Sequence, residues 1–306
     1  MRLIVIVALV FTIIWSYLPV LLVYLVPRAI SNWTPDQVEI IRSCSAKYTQ
    51  QRLEIPHIIH QSWKSENVPT KLKKWQESWK KIHPAWNYTL WTDEQNLKLV
   101  TDHFPWFLEK YNGFLRNIER ADVARYMYMH RFGGFYADLD VECLADHEPL
   151  ANCGGLIVPL LSNDYQFMHN IPNAWMASVP GHPFWTFLLV SILEDKRWHV
   201  FPEASTGPIR LGEALQEYKK IITDISVYGS IKYVAPGLIF PYDWHDGKGL
   251  HNFCSTQEKN FDEYKCKSML KSSESYSITY WSHTWDDKKS LNSLDLGAKQ
   301  RLDTAV

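Results

Sequence analysis

The stretch Asn117-Ile118-Glu119-Arg120-Ala121-Asp122-Val123-Ala124-Arg125-Tyr126-Met127-Tyr128-Met129-His130-Arg131-Phe132-Gly133-Gly134-Phe135-Tyr136-Ala137-Asp138-Leu139-Asp140 decides how this chain folds. Its first part has helical periodicity, with Ile118, Ala121, Ala124 or Arg125, and Tyr128 along one stripe. Gly133 can take the left-handed conformation that stops a helix, and Gly134 frees the chain to reverse. Phe135-Tyr136-Ala137 then enters a strand that ends at Asp138-Leu139-Asp140. Carboxylates at i and i+2 lie on the same side of an extended chain. Like charges that close are tolerated only with a cation or a proton. Oxygen ligands of this kind suit Mn²⁺ or Mg²⁺. On the helix, Asp122 and Arg125 stand at i and i+3 and share a face. They read either as a surface ion pair of small energetic weight, or as a ribose contact from Asp122 and a phosphate or carboxylate contact from Arg125.

Working outward, Ile55-Pro56-His57-Ile58-Ile59-His60-Gln61 reads as a short buried strand. The following segment from Lys71 to Lys81 carries Leu72, Trp75 and Trp79 at helical spacing, a surface helix with one packed face. Asn87-Tyr88-Thr89-Leu90-Trp91 reads as a second strand, and Thr92 with Gln95 forms a capping box for a second helix. Strand, helix, strand, helix at this spacing predicts an α/β fold with a parallel sheet and right-handed crossovers. Such sheets take ligands at the carboxyl ends of their strands.

The ends and the composition bound the rest. From Leu3 to Val26 the chain runs without one charged residue, long enough at about 1.5 Å per residue to cross a hydrocarbon core of about 30 Å. It reads as an uncleaved signal-anchor, with a cytoplasmic tip and a lumenal body. The sequons Asn32-Trp33-Thr34 and Asn87-Tyr88-Thr89 agree with a lumenal body. Across the 306 residues, 32 Lys+Arg and 33 Asp+Glu leave a net charge of −1, which argues against a non-specific nucleic-acid binder. With 46% hydrophobic and 21% charged residues, most of the length is folded. The five cysteines, Cys44, Cys143, Cys153, Cys254 and Cys266, include no C-x-x-C pair, which excludes zinc-finger and thioredoxin readings. Cys254 and Cys266 could close a small loop, and the odd count leaves at least one thiol unpaired within the chain.

The segment from Ile55 through Ser62-Trp63-Lys64, Arg120-Ala121-Asp122-x-x-Arg125-Tyr126, and the run from Gly133 to Asp140 resemble the DXD sugar-binding-region glycosyltransferases. Asn173-Ala174-Trp175-Met176-Ala177-Ser178, Gly181-His182-Pro183-Phe184-Trp185 and Thr206-Gly207-Pro208 extend that resemblance over roughly residues 55–285. The family includes inositol phosphorylceramide mannosyltransferases and the initiating α-1,6-mannosyltransferase, and the first group is the nearer in character. The resemblance implies a GT-A-type, Rossmann-like catalytic domain over 53–290, behind an anchor over 1–27 and a stem over 28–52, with a polar tail over 291–306. It further implies a retaining hexosyl transfer, with mannose from GDP-mannose passing to a sphingolipid or glycan acceptor. The expected setting is a Golgi membrane, with room for a regulatory subunit and no nucleic-acid partner. By position, Asp138 and Asp140 hold Mn²⁺ (or Mg²⁺) against the donor diphosphate, Asp122 and Arg125 contact the nucleotide-sugar, and Asn173 lines the sugar side. His283, displaced from the family's usual place, is a third metal ligand in this reading. No decisive nucleophile stands out; Asp164, Glu142 and Glu203 are the carboxylates in view. The rival readings are a non-catalytic glycan- or metal-binding module and a metal-dependent hydrolase. The hydrolase lacks an H-E-x-x-H-type cluster.

Overall fold

A computed structural model describes residues 38–44, 54–197, 199–221, 230–243, 249–270 and 274–282. The apolar run from Leu3 to Val26, the Asn32 sequon, most of the stem, His283 and the tail lie outside these residues. Among the described residues no helix is long and apolar enough to cross a membrane.

In chain order the elements that carry the argument are β1 (Glu39–Ile41), β2 (Ile58–Ser62), α1 (Thr70–Ile82), β3 (Asn87–Trp91), α2 (Asp93–His103), α3 (Asn117–Phe132), β4 (Gly134–Ala137), β5 (Val141–Cys143), β6 (Leu156–Pro159), β7 (Trp175–Ser178), α4 (Pro183–Glu194), α5 (Pro208–Ile221), β8 (Ile231–Val234) and β9 (Ser277–Thr279). Helix α1 buries Leu72, Trp75, Gln76 and Trp79, the stripe its spacing predicts. The capping box of α2 forms as read: Gln95 N donates to Thr92 Oγ1 at 3.2 Å and Thr92 N donates to Gln95 Oε1 at 2.9 Å. Helix α3 stops at Gly133, which adopts φ 64° and ψ −154°.

Seven strands form one sheet in the order β1-β8-β6-β7-β4-β2-β3. The pairs β1/β8, β8/β6, β4/β2 and β2/β3 are parallel. The sheet is nevertheless not all parallel: β7 runs against both β6 and β4. Consecutive residues on the central strands face opposite cores, as the pleat requires. Tyr136 and Met176 join Val123, Met127 and Trp185 on one face; Phe135, Ala137, Trp175 and Ala177 join Trp79 and Val141 on the other. Burial on both faces explains why these strands read as continuous apolar runs.

β5 and β9 form a separate antiparallel pair, with Val141 opposite Thr279. Part of the stretch read as a stem is stitched to the body. Glu39–Ile41 pairs with β8 at the sheet edge, and Cys44 is disulfide-bonded to Cys153. Cys254 and Cys266 form the second disulfide, which leaves Cys143 as the buried free thiol.

Candidate active site

The topology brings two chain segments together at one edge of the core. β4 ends at Ala137, which pairs with Trp175 at the start of the antiparallel β7. The residue after β4, Asp138, therefore meets the residues before β7, and its N–H donates to the Ala174 carbonyl at 2.9 Å. Asp138-Leu139-Asp140 form a turn rather than a strand end, closed by Val141 N donating to Asp138 O at 3.0 Å. The extended-chain argument for the two carboxylates thus gives way to turn geometry. From β2, Gln61 Nε2 donates to the Asp138 carbonyl at 3.2 Å and steadies that turn.

Two glycines set the position of the turn relative to α3. A Cβ on Gly133 would lie 2.6 Å from Pro180 N and Ser178 O, and one on Gly134 2.5 Å from Ile58 O. Both residues have positive φ, which a side chain disfavours. The helix with Asp122 and Arg125 is thereby folded tightly against the strand leading to Asp138.

Arg125 is the centre of the cluster. Its Nη1 lies 3.1 Å from Asp138 Oδ1 and donates to Asn173 O at 3.0 Å; its Nη2 lies 3.4 Å from Asp122 Oδ1. The guanidinium stacks over Tyr136 at 4.8 Å from the ring centre. Arg125 and Asp122 are only 6% and 3% exposed, so this is no surface ion pair. Asp122 accepts from Asn173 Nδ2 at 2.9 Å on Oδ1 and from Thr206 Oγ1 at 2.9 Å on Oδ2. Tyr126 Oη accepts from Asn173 Nδ2 at 3.0 Å and donates to Thr206 O at 2.7 Å. Asp122, Arg125, Asp138 and Asn173, read separately in the sequence, thus meet in one buried network. Thr206, Tyr126 and Tyr136 belong to it as well; all three stand inside the sequence motifs, Thr206 in Thr206-Gly207-Pro208 and the tyrosines beside Arg125 and Asp138, but the motifs alone assign them no role. A Cβ on Gly207 would meet Glu203 Cα at 2.8 Å and Asp122 Oδ2 at 3.4 Å, so this motif fits closely around the carboxylate.

Burial pushes Asp138 up to about 6; Arg125 opposes the rise and Asp140 adds to it. Its side chain is 32% exposed, and water at that face tempers the effect. Burial also raises Asp122, against the pull of Arg125, Thr206 and Asn173.

Asp140 is held from the other side. Ser282 donates to Asp140 Oδ2 through N at 2.9 Å and Oγ at 2.7 Å. Trp281 before it has φ 45°, uncommon for a non-glycine residue, and this bend turns Ser282 toward the acid. The β5/β9 pairing carries this C-terminal arm back to the turn. Tyr136 Oη donates to Asp138 Oδ1 at 2.6 Å. These bonds use Oδ1 of Asp138 and Oδ2 of Asp140; among the described residues the other oxygen of each takes no hydrogen bond or ion pair. Two hard oxygen donors in one turn fit a divalent cation such as Mn²⁺ or Mg²⁺. Glu142, by contrast, is taken up by Lys267 Nζ at 2.8 Å and by Tyr280 Oη.

Residues 69–153 match the family described as glycosyltransferase sugar-binding region containing DXD motif. The chain is 33% identical over 195 residues to inositol phosphoceramide mannosyltransferase 3 of Schizosaccharomyces pombe, covering 62% of this chain and 53% of that protein. It is 35% identical over 170 residues to mannosyl phosphorylinositol ceramide synthase SUR1 of Saccharomyces cerevisiae, covering 54% of this chain and 43% of that protein. The chain therefore spans about half the length of the curated relatives it matches. A solved structure titled PaToxG Glycosyltransferase aligns with a TM-score of 0.45 at 17% identity, covering 56% of this chain and 71% of that one. The matched stretch, residues 69–153, includes Asp138, Leu139 and Asp140, so the turn built above lies inside the region that resembles the DXD-containing glycosyltransferases.

Proposed function

We propose that this chain is a GT-A-type, metal-dependent, retaining glycosyltransferase that moves mannose from GDP-mannose to inositol phosphorylceramide. The observation that carries the reading is the fixed cation of Arg125 between Asp122 and Asp138, one turn of chain from Asp140. Breaking a sugar–phosphate bond leaves negative charge on the departing diphosphate. Arg125 supplies positive charge there without reorganisation, because Asn173 O and the Tyr136 ring already hold its side chain. Asp138 and Asp140 would hold the cation; when bound it supplies a Lewis acid for the same developing charge. Asp122 has both oxygens engaged, so its work in this reading is to orient Asn173 and Arg125. A donor ribose that reaches Asp122 exchanges for one of those bonds. An acceptor hydroxyl is the nucleophile, and the polar cluster must exclude water that would compete with it. The same reading sets residues 53–290 in the Golgi lumen behind the 1–27 anchor. Its support is the apolar N-terminal run and the two sequons; the names of the fungal relatives support the mannosyl donor and the inositol phosphorylceramide acceptor.

The experiment is a nucleotide-release assay on the full chain in detergent, with a panel of nucleotide sugars, inositol phosphorylceramide, and Mn²⁺ present or absent. GDP release from GDP-mannose that needs Mn²⁺ is the expected result. Asp138→Asn and Asp140→Asn should lower it by orders of magnitude while the unfolding transition persists. A folded protein that releases no nucleotide from any donor would sink the proposal.

A further inference from the structure

We propose that His83, Cys143 and His147 form a second metal site that holds one Zn²⁺, distinct from the Asp138–Asp140 turn. The three side chains come from separate elements. His83 follows the C-terminus of α1, Cys143 ends β5, and His147 precedes the short helix Glu148–Ala151. All three are buried, and their donor atoms lie within 4.8 Å of one another. His83 Nε2 is 3.3 Å from His147 Nδ1; Cys143 Sγ is 3.6 Å from the first nitrogen and 3.7 Å from the second.

Those three edges are informative. Tetrahedral Zn²⁺ with Zn–N of about 2.0–2.1 Å and Zn–S of about 2.3 Å separates two nitrogens by about 3.3 Å and a nitrogen from a sulfur by about 3.6 Å. The triangle therefore has the size of one face of a zinc tetrahedron. The Ala145 carbonyl oxygen accepts from Cys143 Sγ at 3.4 Å and lies 3.0 Å from His147 Nδ1; sulfur and nitrogen exchange these bonds for the ion when they ligate, and the His147 proton then sits on Nε2. Behind His83, Asp146 Oδ1 lies 3.5 Å from Nδ1. A carboxylate there favours the tautomer that leaves Nε2 free to ligate. Among the described residues the His147 Nε2 is buried without a hydrogen bond. Aromatic rings wall the cluster: Trp86 stacks 4.2 Å from His83, and Trp79 lies 4.7 Å from His147. A mixed nitrogen and thiolate set in a dry pocket suits zinc over the hard cations of an all-oxygen turn. On binding, the Cys143 thiol gives its proton to solvent and its sulfur bonds to the ion. The site would clamp α1 to β5, the strand that continues directly from the Asp138–Asp140 turn.

The test is specific because Cys143 is the chain's free thiol, the other four cysteines being paired as Cys44–Cys153 and Cys254–Cys266. Full-length protein purified in detergent without chelator is analysed for metal, then exchanged into Co²⁺ and examined by absorption. About one zinc per chain is expected, with a near-ultraviolet thiolate-to-cobalt charge-transfer band. The band should persist in Asp138→Asn and Asp140→Asn, whose oxygens give no such transition, and vanish in Cys143→Ser and His147→Gln. A wild-type chain with less than about a tenth of an equivalent of zinc and no cobalt band overturns the proposal, as does a band that survives Cys143→Ser. If both variants fail to fold, the wild-type spectrum decides alone, since the band can arise only from Cys143.

Discussion

Replacing Arg125 by Met tests whether the cation is a structural centre or a surface decoration. The substitution keeps an unbranched side chain of similar length and removes the donors. Asp122, only 3% exposed, keeps Thr206 and Asn173 but loses its counter-charge. Asp138, 32% exposed, keeps the Tyr136 hydroxyl and some water. Breaking a buried ion pair by removing one partner costs about 3–5 kcal/mol. Because Asp138 is partly solvated, the loss should fall near the lower end, about 3 kcal/mol. Urea unfolding at pH 7, followed by tryptophan fluorescence, measures it for wild type, Arg125→Met, Asp138→Asn and the double variant. The double variant should lose less than the sum of the single losses, because the orphaned Asp138 carboxylate is then absent. Arg125→Lys should fall between, since an ammonium cannot span Asp122, Asp138 and the Asn173 carbonyl together. A loss under about 1 kcal/mol for Arg125→Met, the value of an exposed pair, would refute the reasoning.

Gly133→Ala should destabilise by at least about 2 kcal/mol, combining a disfavoured positive φ with a Cβ 2.6 Å from Pro180 N; thermal unfolding checks it. His60 accepts from Trp91 Nε1 on Nδ1 at 3.0 Å and donates through Nε2 to Gly133 O at 2.9 Å. Burial holds it down to about 4, so the unfolded chain takes the proton first as pH falls. Its contribution is intact above about pH 6.5 and is lost between there and about 4, a change of about 3 kcal/mol. Urea midpoints across that window should slope less in His60→Gln than in wild type; equal slopes would remove His60 from the account.

Much of this was legible from local pattern. The strand at Asn87–Trp91, the capping box at Thr92, the length of α3 and the glycine corner each follow from neighbours a few residues apart. The direction of β7 was not, because Trp175–Ser178 is buried throughout and such a run reads the same whichever way it is laid in a sheet. The three residues of β1 are too few to carry a period. Burial of Asp122 and Arg125 was equally hidden. Charges three apart on a helix suggest a solvated face, and the groups that enclose them, Asn173 and Thr206, arrive from 51 and 84 residues away from Asp122. The turn at Asp138 owes its position to backbone contacts with Ala174, which no spacing near the carboxylates records.

The bond between Cys44 and Cys153 spans 109 residues and draws a covalent ring around the charged half of the site. Asp122, Arg125, Asp138 and Asp140 lie inside that ring, whereas Asn173, Thr206 and Ser282 reach it from outside. A protease that cuts once anywhere within the ring leaves both pieces on a single molecule, which parts only when reductant is added. The charged residues therefore survive a severed loop as a tethered unit, and what a break outside the ring removes is the frame that orients them.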